Sequence, residues 1–231
     1  LFINQLRELQ QIKLDRQYLS IGSGCTFTEI LDSALVPDLL KAAVSQIAAP
    51  AIRNMATSGG NICNGSPKAD SALIYVVLDG ILKLQSASGQ RLVPIKDFYL
   101  GRGRTCRRPE ELLVEILIPR RNWQNFYYKK IGGRKALAIS RVSFAGLLEE
   151  KAGKIAAFAA AFGAVDNTIL RMYELEEKLL GLTVAEAKAL KPEFLQQYAQ
   201  AINPISGRIS AVYRKKVCLN LLSDFLTQNG I

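Results

Sequence analysis

The chain of 231 residues contains no histidine. That absence excludes a Ser-His-Asp triad, a Cys-His nucleophile pair, a His-ligated zinc and an imidazole general base. Cysteine is scarce as well: Cys25, Cys63, Cys106 and Cys218 are the four, and no two lie within ten residues of each other. Zinc ribbons and ferredoxin-type clusters need local Cys pairs, because one turn must present two thiolates to one metal. The chain is therefore expected to hold no metal and no iron–sulfur cluster, and its thiols to be reduced and mostly buried, as in a cytoplasmic protein. Long apolar runs are missing too. The longest, Ile155–Val165, has eleven residues, short of the roughly 18 a membrane span needs. The opening Leu1-Phe2-Ile3 carries no initiator Met, no basic n-region and no signal-type apolar region. It reads as the middle of a polypeptide, so an N-terminal piece is expected to be absent.

What is present is ordinary for a globular chain: 49% hydrophobic and 22% charged residues. Disorder, collagen and disulfide-scaffold classes are excluded, and the length supports one large or two small domains. The charge is uneven. Net charge is +10, and eleven Lys/Arg against three acids between Arg102 and Arg141 supply +8 of it. Such a segment attracts nucleic acid, a phosphorylated cofactor or an acidic partner, or else forms a solvated basic face. No recognition helix, RNP motif or zinc knuckle accompanies it, so nucleic acid is not the expected partner.

Periodicity gives the element order. Tyr18–Gly22 reads as a strand, Thr28 as the cap of a helix beginning at Glu29, and Pro37–Ile47 as a second helix. Segment 51–70, dense in Gly, Asn and Ser, reads as loop. Leu73–Leu78 and Ile81–Gln85 read as strands, the latter joined through Ser86–Gly89 to Arg91–Val93 as a hairpin. Leu112–Ile118 is a strand closed by Pro119, and Pro119–Gln124 is the expected domain boundary. A second half follows, with strands at 125–130, 139–148 and 155–162 and helices at 173–180, 184–190 and 192–201. In the last helix, Ile209, Tyr213, Val217, Leu221 and Phe225 recur every four residues as a core stripe.

The chemistry is concentrated in Ile52-Arg53-Asn54-Met55-Ala56-Thr57-Ser58-Gly59-Gly60-Asn61-Ile62-Cys63-Asn64-Gly65-Ser66-Pro67-Lys68-Ala69-Asp70. Paired glycines permit positive φ and a close approach of backbone N–H groups to an oxyanion, while Thr57, Ser58 and Asn61 add donors. Ser66 offers another hydroxyl, and Asp70 could accept from ribose hydroxyls. A bare Ser-Gly-Gly-Asn equally suits a turn with local side-chain hydrogen bonds.

The longer string resembles the pattern I-R-N-x-A-T-x-G-G-N-I-x-N-x-S-P-x-x-D of FAD-binding (medium) subunits of xanthine dehydrogenase- and carbon monoxide dehydrogenase-type molybdenum hydroxylases. The resemblance continues in register. Leu19-Ser20-Ile21-Gly22-Ser23-Gly24-Cys25-Thr26 is similar to L-x-I-G-A-x-x-T, and Val93-Pro94-Ile95-Lys96-Asp97-Phe98-Tyr99-Leu100-Gly101 to V-P-L-x-D-F-F-x-G. Arg104-Thr105 and Pro109-Glu110-Glu111-Leu112-Leu113 follow the family's K-T and P-x-E-L-L. Lys130–Ile139 resembles K-x-x-x-R-x-A-x-D-I, and Val212–Lys216 fits the family's C-terminal Tyr-Arg signature. Two departures stand out. Nothing in Leu1–Ile21 matches the family's first flavin loop, A-G-G-T-D, and the family's G-Y-R-K-T is here Gly101-Arg102-Gly103-Arg104-Thr105.

The resemblance implies an α+β fold. A PCMH-type FAD-binding domain, N-terminally incomplete and lacking that first loop, would occupy 1–119. An α+β C-terminal flavoprotein domain with a small antiparallel sheet and helices would occupy 120–231. It further implies FAD as cofactor, with Thr57, Ser58, Gly59, Gly60 and Asn61 on the pyrophosphate and ribityl region and Asp70 as a cofactor contact. Ile47 and Leu113 would be apolar flavin contacts, and Lys130 a cation near the flavin's pyrimidine end. Arg134–Ile139 would be the access loop. No residue is expected to act as a proton-transfer catalyst. The implied partners are a molybdopterin-binding large subunit and a [2Fe–2S] small subunit, whose electrons leave through FAD to an acceptor, NAD⁺. The contrasting reading is a non-catalytic basic module that scaffolds a complex or binds nucleic acid.

Overall fold

The computed structural model describes residues 3–121, 123–134, 136–207 and 209–231. Lys135, within the expected access loop, lies outside the described residues, as do Leu1 and Phe2 of the opening segment and Asn122 of the expected boundary.

In chain order the elements are β1 (Ile12–Leu14), β2 (Tyr18–Gly22), α1 (Phe27–Asp32), α2 (Asp38–Val44), α3 (Pro50–Arg53), α4 (Ser58–Cys63) and α5 (Asp70–Val77). Then come β3 (Ile81–Ser86), β4 (Gly89–Pro94), β5 (Tyr99–Gly101), β6 (Arg104–Thr105) and β7 (Leu112–Pro119). The second half holds β8 (Asn125–Ile131), β9 (Val142–Lys151), β10 (Lys154–Gly163), β11 (Leu170–Arg171), α6 (Tyr173–Glu176), α7 (Val184–Ala201) and α8 (Ala211–Gln228). The fold is α+β. A five-stranded antiparallel sheet runs in the order β1-β2-β7-β3-β4, and a four-stranded one in the order β11-β10-β9-β8.

All eight residues of α5 are buried. It packs on α2 and on β9 and β10. The two faces of those strands serve different cores. Ala145, Leu147, Ala159 and Ala161 join the first core, while Phe144, Leu148, Phe158 and Phe162 join a second core with α7 and α8. The period-two alternation of a strand explains how one apolar run serves two cores. Gly146 lets α8 come close, since a Cβ there would sit 2.6 Å from the Phe225 ring.

Several sequence expectations need correction. Leu73–Leu78 belongs to helix α5, not a strand. An apolar run buried on every side carries no period to separate the two. Asp70 in its first turn suits the helix dipole. At its other end Arg171 donates to the carbonyls of Val76 and Val77 (2.7 and 3.3 Å) and pairs with Asp79 and Glu176. Segment 51–70 is not loop throughout, since α3 and α4 lie within it. The cap of α1 is Thr26, in a reciprocal capping box with Glu29, rather than Thr28. Strand β9 starts at Val142 instead of 139. Residues 184–201 form one helix despite Pro192, which is exposed, so the carbonyl it leaves unpaired can meet water. The buried face of α8 is Cys218, Leu221, Leu222, Phe225 and Leu226. A strict four-residue ladder drifts about 40° per step around a 3.6-residue helix, which leaves Tyr213 exposed.

Candidate cofactor site

Two clefts hold five of the nine candidate residues. The first, about 440 Å³, is lined by Thr57, Gly59 and Gly60 of the α4 start, by Ser23 and Gly24 after β2, and by Leu113 of β7. Its geometry follows from a close pairing of two chain segments. Ser58 N–H donates to the Cys25 carbonyl and Gly59 N–H to the Ser23 carbonyl, both at 2.9 Å. A Cβ on Gly59 would fall 2.5 Å from Ser23 Cβ and 2.8 Å from its carbonyl oxygen, so only glycine allows the approach. Thr57 caps α4, its hydroxyl oxygen accepting from Gly60 N–H at 3.1 Å. Gly60 is exposed, and the one atom crowding a Cβ there is Thr57 Oγ1 at 3.0 Å.

These facts revise how the glycines work. Both are helical, without positive φ, and serve by close approach and by leaving the wall bare. The backbone N–H groups of Ser58, Gly59 and Gly60 are spent inside the protein. The Ser58 hydroxyl is also turned inward, 2.7 Å from Tyr75 Oη in a buried contact. Donors left for an anion are the Thr57 hydroxyl and the Asn61 amide NH₂, since Asn61 Oδ1 already accepts from Ser71 at 2.7 Å.

The second cleft, about 210 Å³, is lined by Ser45, Gln46, Ala48, Lys130, Gly132, Arg134 and Ala136–Ala138. Beneath it Asp70 and Lys130 form a buried ion pair at 2.7 Å, each side chain less than a tenth exposed. Lys130 Nζ also donates to the Gln46 carbonyl at 3.0 Å, and the Ser140 hydroxyl donates to the other Asp70 oxygen at 2.7 Å. Pairing and saturation by hydrogen bonds are what make a buried charge pair tolerable. Ile47 is half-buried and packs on the first core. Arg53 donates to the carbonyls of Ile47 and Ala48 (2.7 and 2.8 Å) and so fixes that turn, where Ala48 adopts a left-handed φ of 45°. Arg134 similarly grips the Leu137 carbonyl through Nε and Nη2, with Leu137 at φ 53°.

Beyond Arg134 lies a basic cleft of about 760 Å³, with Lys68, Arg102, Arg141 and Arg214 also on its walls. At the far rim of the first cleft, Arg91 holds Glu111 through two hydrogen bonds (2.6 and 2.9 Å). That contact lowers the Glu111 carboxyl to about 2. Burial raises the Cys25 and Cys218 thiols to about 11 and about 12, so neither serves as a thiolate. All four cysteines are free.

The fold thus brings Thr57, Gly59, Gly60 and Leu113 together at one cleft and sets Lys130, paired to the buried Asp70, at the other. Asn61, through Ser71, links α4 to α5. Ser58 faces neither cleft. The site also uses Ser140, Arg53 and the Gln46 carbonyl, which the sequence alone does not mark as site residues. Arg53 stands in the motif, but nothing in the spacing signals Ser140.

An elongated ligand with phosphates in the middle and a polar ring at one end suits this arrangement. The bare wall at Gly60 leaves room, the Thr57 hydroxyl suits a phosphate oxygen, and a buried ammonium sits beside the second cleft. Those are the demands of FAD, and the residues fit it.

Comparison with known proteins agrees. Residues 1–121 match the family described as the FAD binding domain in molybdopterin dehydrogenase, and 126–229 match the CO dehydrogenase flavoprotein C-terminal domain. The chain is 34% identical over 205 residues to a xanthine dehydrogenase FAD-binding subunit of Escherichia coli, covering 85% of this chain and 70% of that one. It is 31% identical over 219 residues to the glyceraldehyde dehydrogenase medium chain of Sulfolobus acidocaldarius, covering 93% and 77%. A carbon monoxide dehydrogenase structure from Hydrogenophaga pseudoflava superposes with a TM-score of 0.89 at 26% identity, covering 97% of this chain and 79% of that one. Among the described residues no helix is long and apolar enough to cross a membrane. The chain belongs to the family of FAD-binding subunits of xanthine dehydrogenase- and carbon monoxide dehydrogenase-type oxidoreductases, with FAD as its cofactor.

Proposed function

We propose that this chain is the electron-exit subunit of a cytoplasmic molybdenum hydroxylase. It would receive electrons from a [2Fe–2S] small subunit, which takes them from a molybdopterin-binding large subunit, and deliver them to NAD⁺. When bound, FAD supplies the hydride and single-electron chemistry that protein side chains lack. The chain's own residues bind and orient it.

In this reading residues 1–119 carry the cradle and 120–231 close it from the other side. Thr57 and Asn61 donate to the pyrophosphate and ribityl region along the bare wall of Gly59 and Gly60. Ser58 holds the cradle from behind through Tyr75. Leu113 gives an apolar wall at one end and Ile47 one at the other. Lys130, held by Asp70, places a positive charge at the flavin's pyrimidine end, where it favours the electron-rich state. Arg134–Ile139 borders access, and the five cations of the adjoining basic cleft suit the pyrophosphate of NAD⁺.

The observation that carries the reading is the open wall at Gly60 between Thr57 and Leu113. Gly60→Val fills it without touching the core. Protein isolated with its partners should be yellow and release stoichiometric FAD on denaturation. The G60V variant should keep its circular dichroism spectrum yet be colourless. A folded G60V with full FAD content contradicts the reading, and flavin reduced by substrate that NADH formation does not follow contradicts the acceptor.

A further inference from the structure

We infer that Ser140 is a positioning residue for the flavin end of the site. Its hydroxyl engages the Asp70 carboxylate so that the Lys130 ammonium keeps an effective positive charge beside its cleft. This rests on the reading above that the flavin ring lies against Lys130. Asp70 and Ser140 are both buried, 5% and 2% exposed, and each Asp70 oxygen has one side-chain partner at 2.7 Å: Lys130 on Oδ2 and Ser140 on Oδ1. A carboxylate facing Lys130 alone would cancel the ammonium's field at that distance. A hydroxyl donating to the opposite oxygen draws carboxylate charge away from the lysine, and hydrogen bonds to ionised groups are the strong ones.

Among the described residues, Ser140 is the hydroxyl that donates to the Asp70 carboxylate, at 2.7 Å. Tyr128 Oη is buried beside the same carboxylate without a close hydrogen bond, and burial, the Asp70 charge and its side-chain contact with Asp70 raise its pKa, so it stands as a weaker neighbour of Asp70 than Ser140. Gln46 contributes only a carbonyl, which accepts from Lys130. Ser140 also lines the basic cleft, so one residue stands between the lysine and the space proposed for the acceptor.

The test is the midpoint potential of bound FAD in the assembled protein, followed by absorbance during anaerobic reductive titration. In Ser140→Ala the ratio of reduced to oxidised flavin at a fixed solution potential should fall about three- to tenfold, tenfold being about 30 mV for a two-electron couple. Ser140→Thr, which keeps the hydroxyl, should restore the native value. If S140A folds poorly, Ser140→Cys, with a weaker donor, should give a smaller fall in the same direction. Lys130→Gln separates the two ideas. A fall in K130Q with none in S140A overturns the role of Ser140 alone. No fall in either overturns the placement of the flavin as well. Failure of S140T to restore the potential also overturns the inference.

Discussion

Along Thr57–Gly60 the protein offers a ligand a surface stripped of side chains, with the backbone donors of Ser58, Gly59 and Gly60 already spent on Cys25, Ser23 and the Thr57 hydroxyl. At Asp70 and Lys130 it offers charge, buried and locked between two halves of the chain 60 residues apart. The first region is built by steric exclusion and the second by electrostatic compensation. They should therefore fail differently. Changes near Thr57 should alter shape and ligand retention, whereas changes near Lys130 should alter stability and redox balance.

The largest effect is expected where a buried charge is left alone. Asp70→Ala should destabilise the fold by about 3–5 kcal/mol in urea unfolding, because Lys130 loses its carboxylate. A loss under about 1 kcal/mol would mean the pair is already solvated, as exposed pairs are. Next is Gly59→Ala. Its new Cβ meets Ser23 backbone and Cβ, not a flexible chain end, so a loss of about 1–3 kcal/mol is expected, with FAD released in parallel. An unchanged melting curve would show that the two segments can part. Smaller again is Thr57→Ala. It removes the cap of α4, at about 1 kcal/mol, together with a phosphate donor. FAD affinity measured by fluorescence quenching should drop more than stability does.

The smallest effect separates the regions by pH. Glu111 is depressed to about 2 by Arg91 from an ordinary value of 4.5. Its contribution is complete above pH 4.5 and is lost as pH falls from there towards 2. Since Glu111 lines the Thr57 cleft, acid release of FAD should show a component in that window, and Glu111→Gln should remove it.

Much of this was legible in the sequence, and unevenly so. The contiguous motif 52–70 named one cleft, because glycines and donors close in sequence stay close in space. Strands at 18–22, 81–85 and 112–118 followed from apolar runs bounded by turns, each within a residue of the observed ends. The motif did not reveal why its glycines matter. Their role depends on Ser23, more than 30 residues earlier, approaching from outside the motif. Nor did it reveal that α5 is a helix, since a segment buried all round has no polar face to set the period. Ser140 was invisible for a third reason: a single serine in irregular chain gains meaning only when folding sets it beside Asp70. The basic segment spread over residues 102–141 became interpretable once folding gathered Arg102, Arg134 and Arg141 with Lys68 and Arg214 around one cleft.

The most direct test of the whole account is a structure of the FAD-loaded protein. The account predicts the pyrophosphate over Gly60 within hydrogen-bonding reach of the Thr57 hydroxyl and the Asn61 amide, with the isoalloxazine beside Lys130. FAD bound elsewhere, or lying with its ring at Leu113 and its adenine at Lys130, would contradict it.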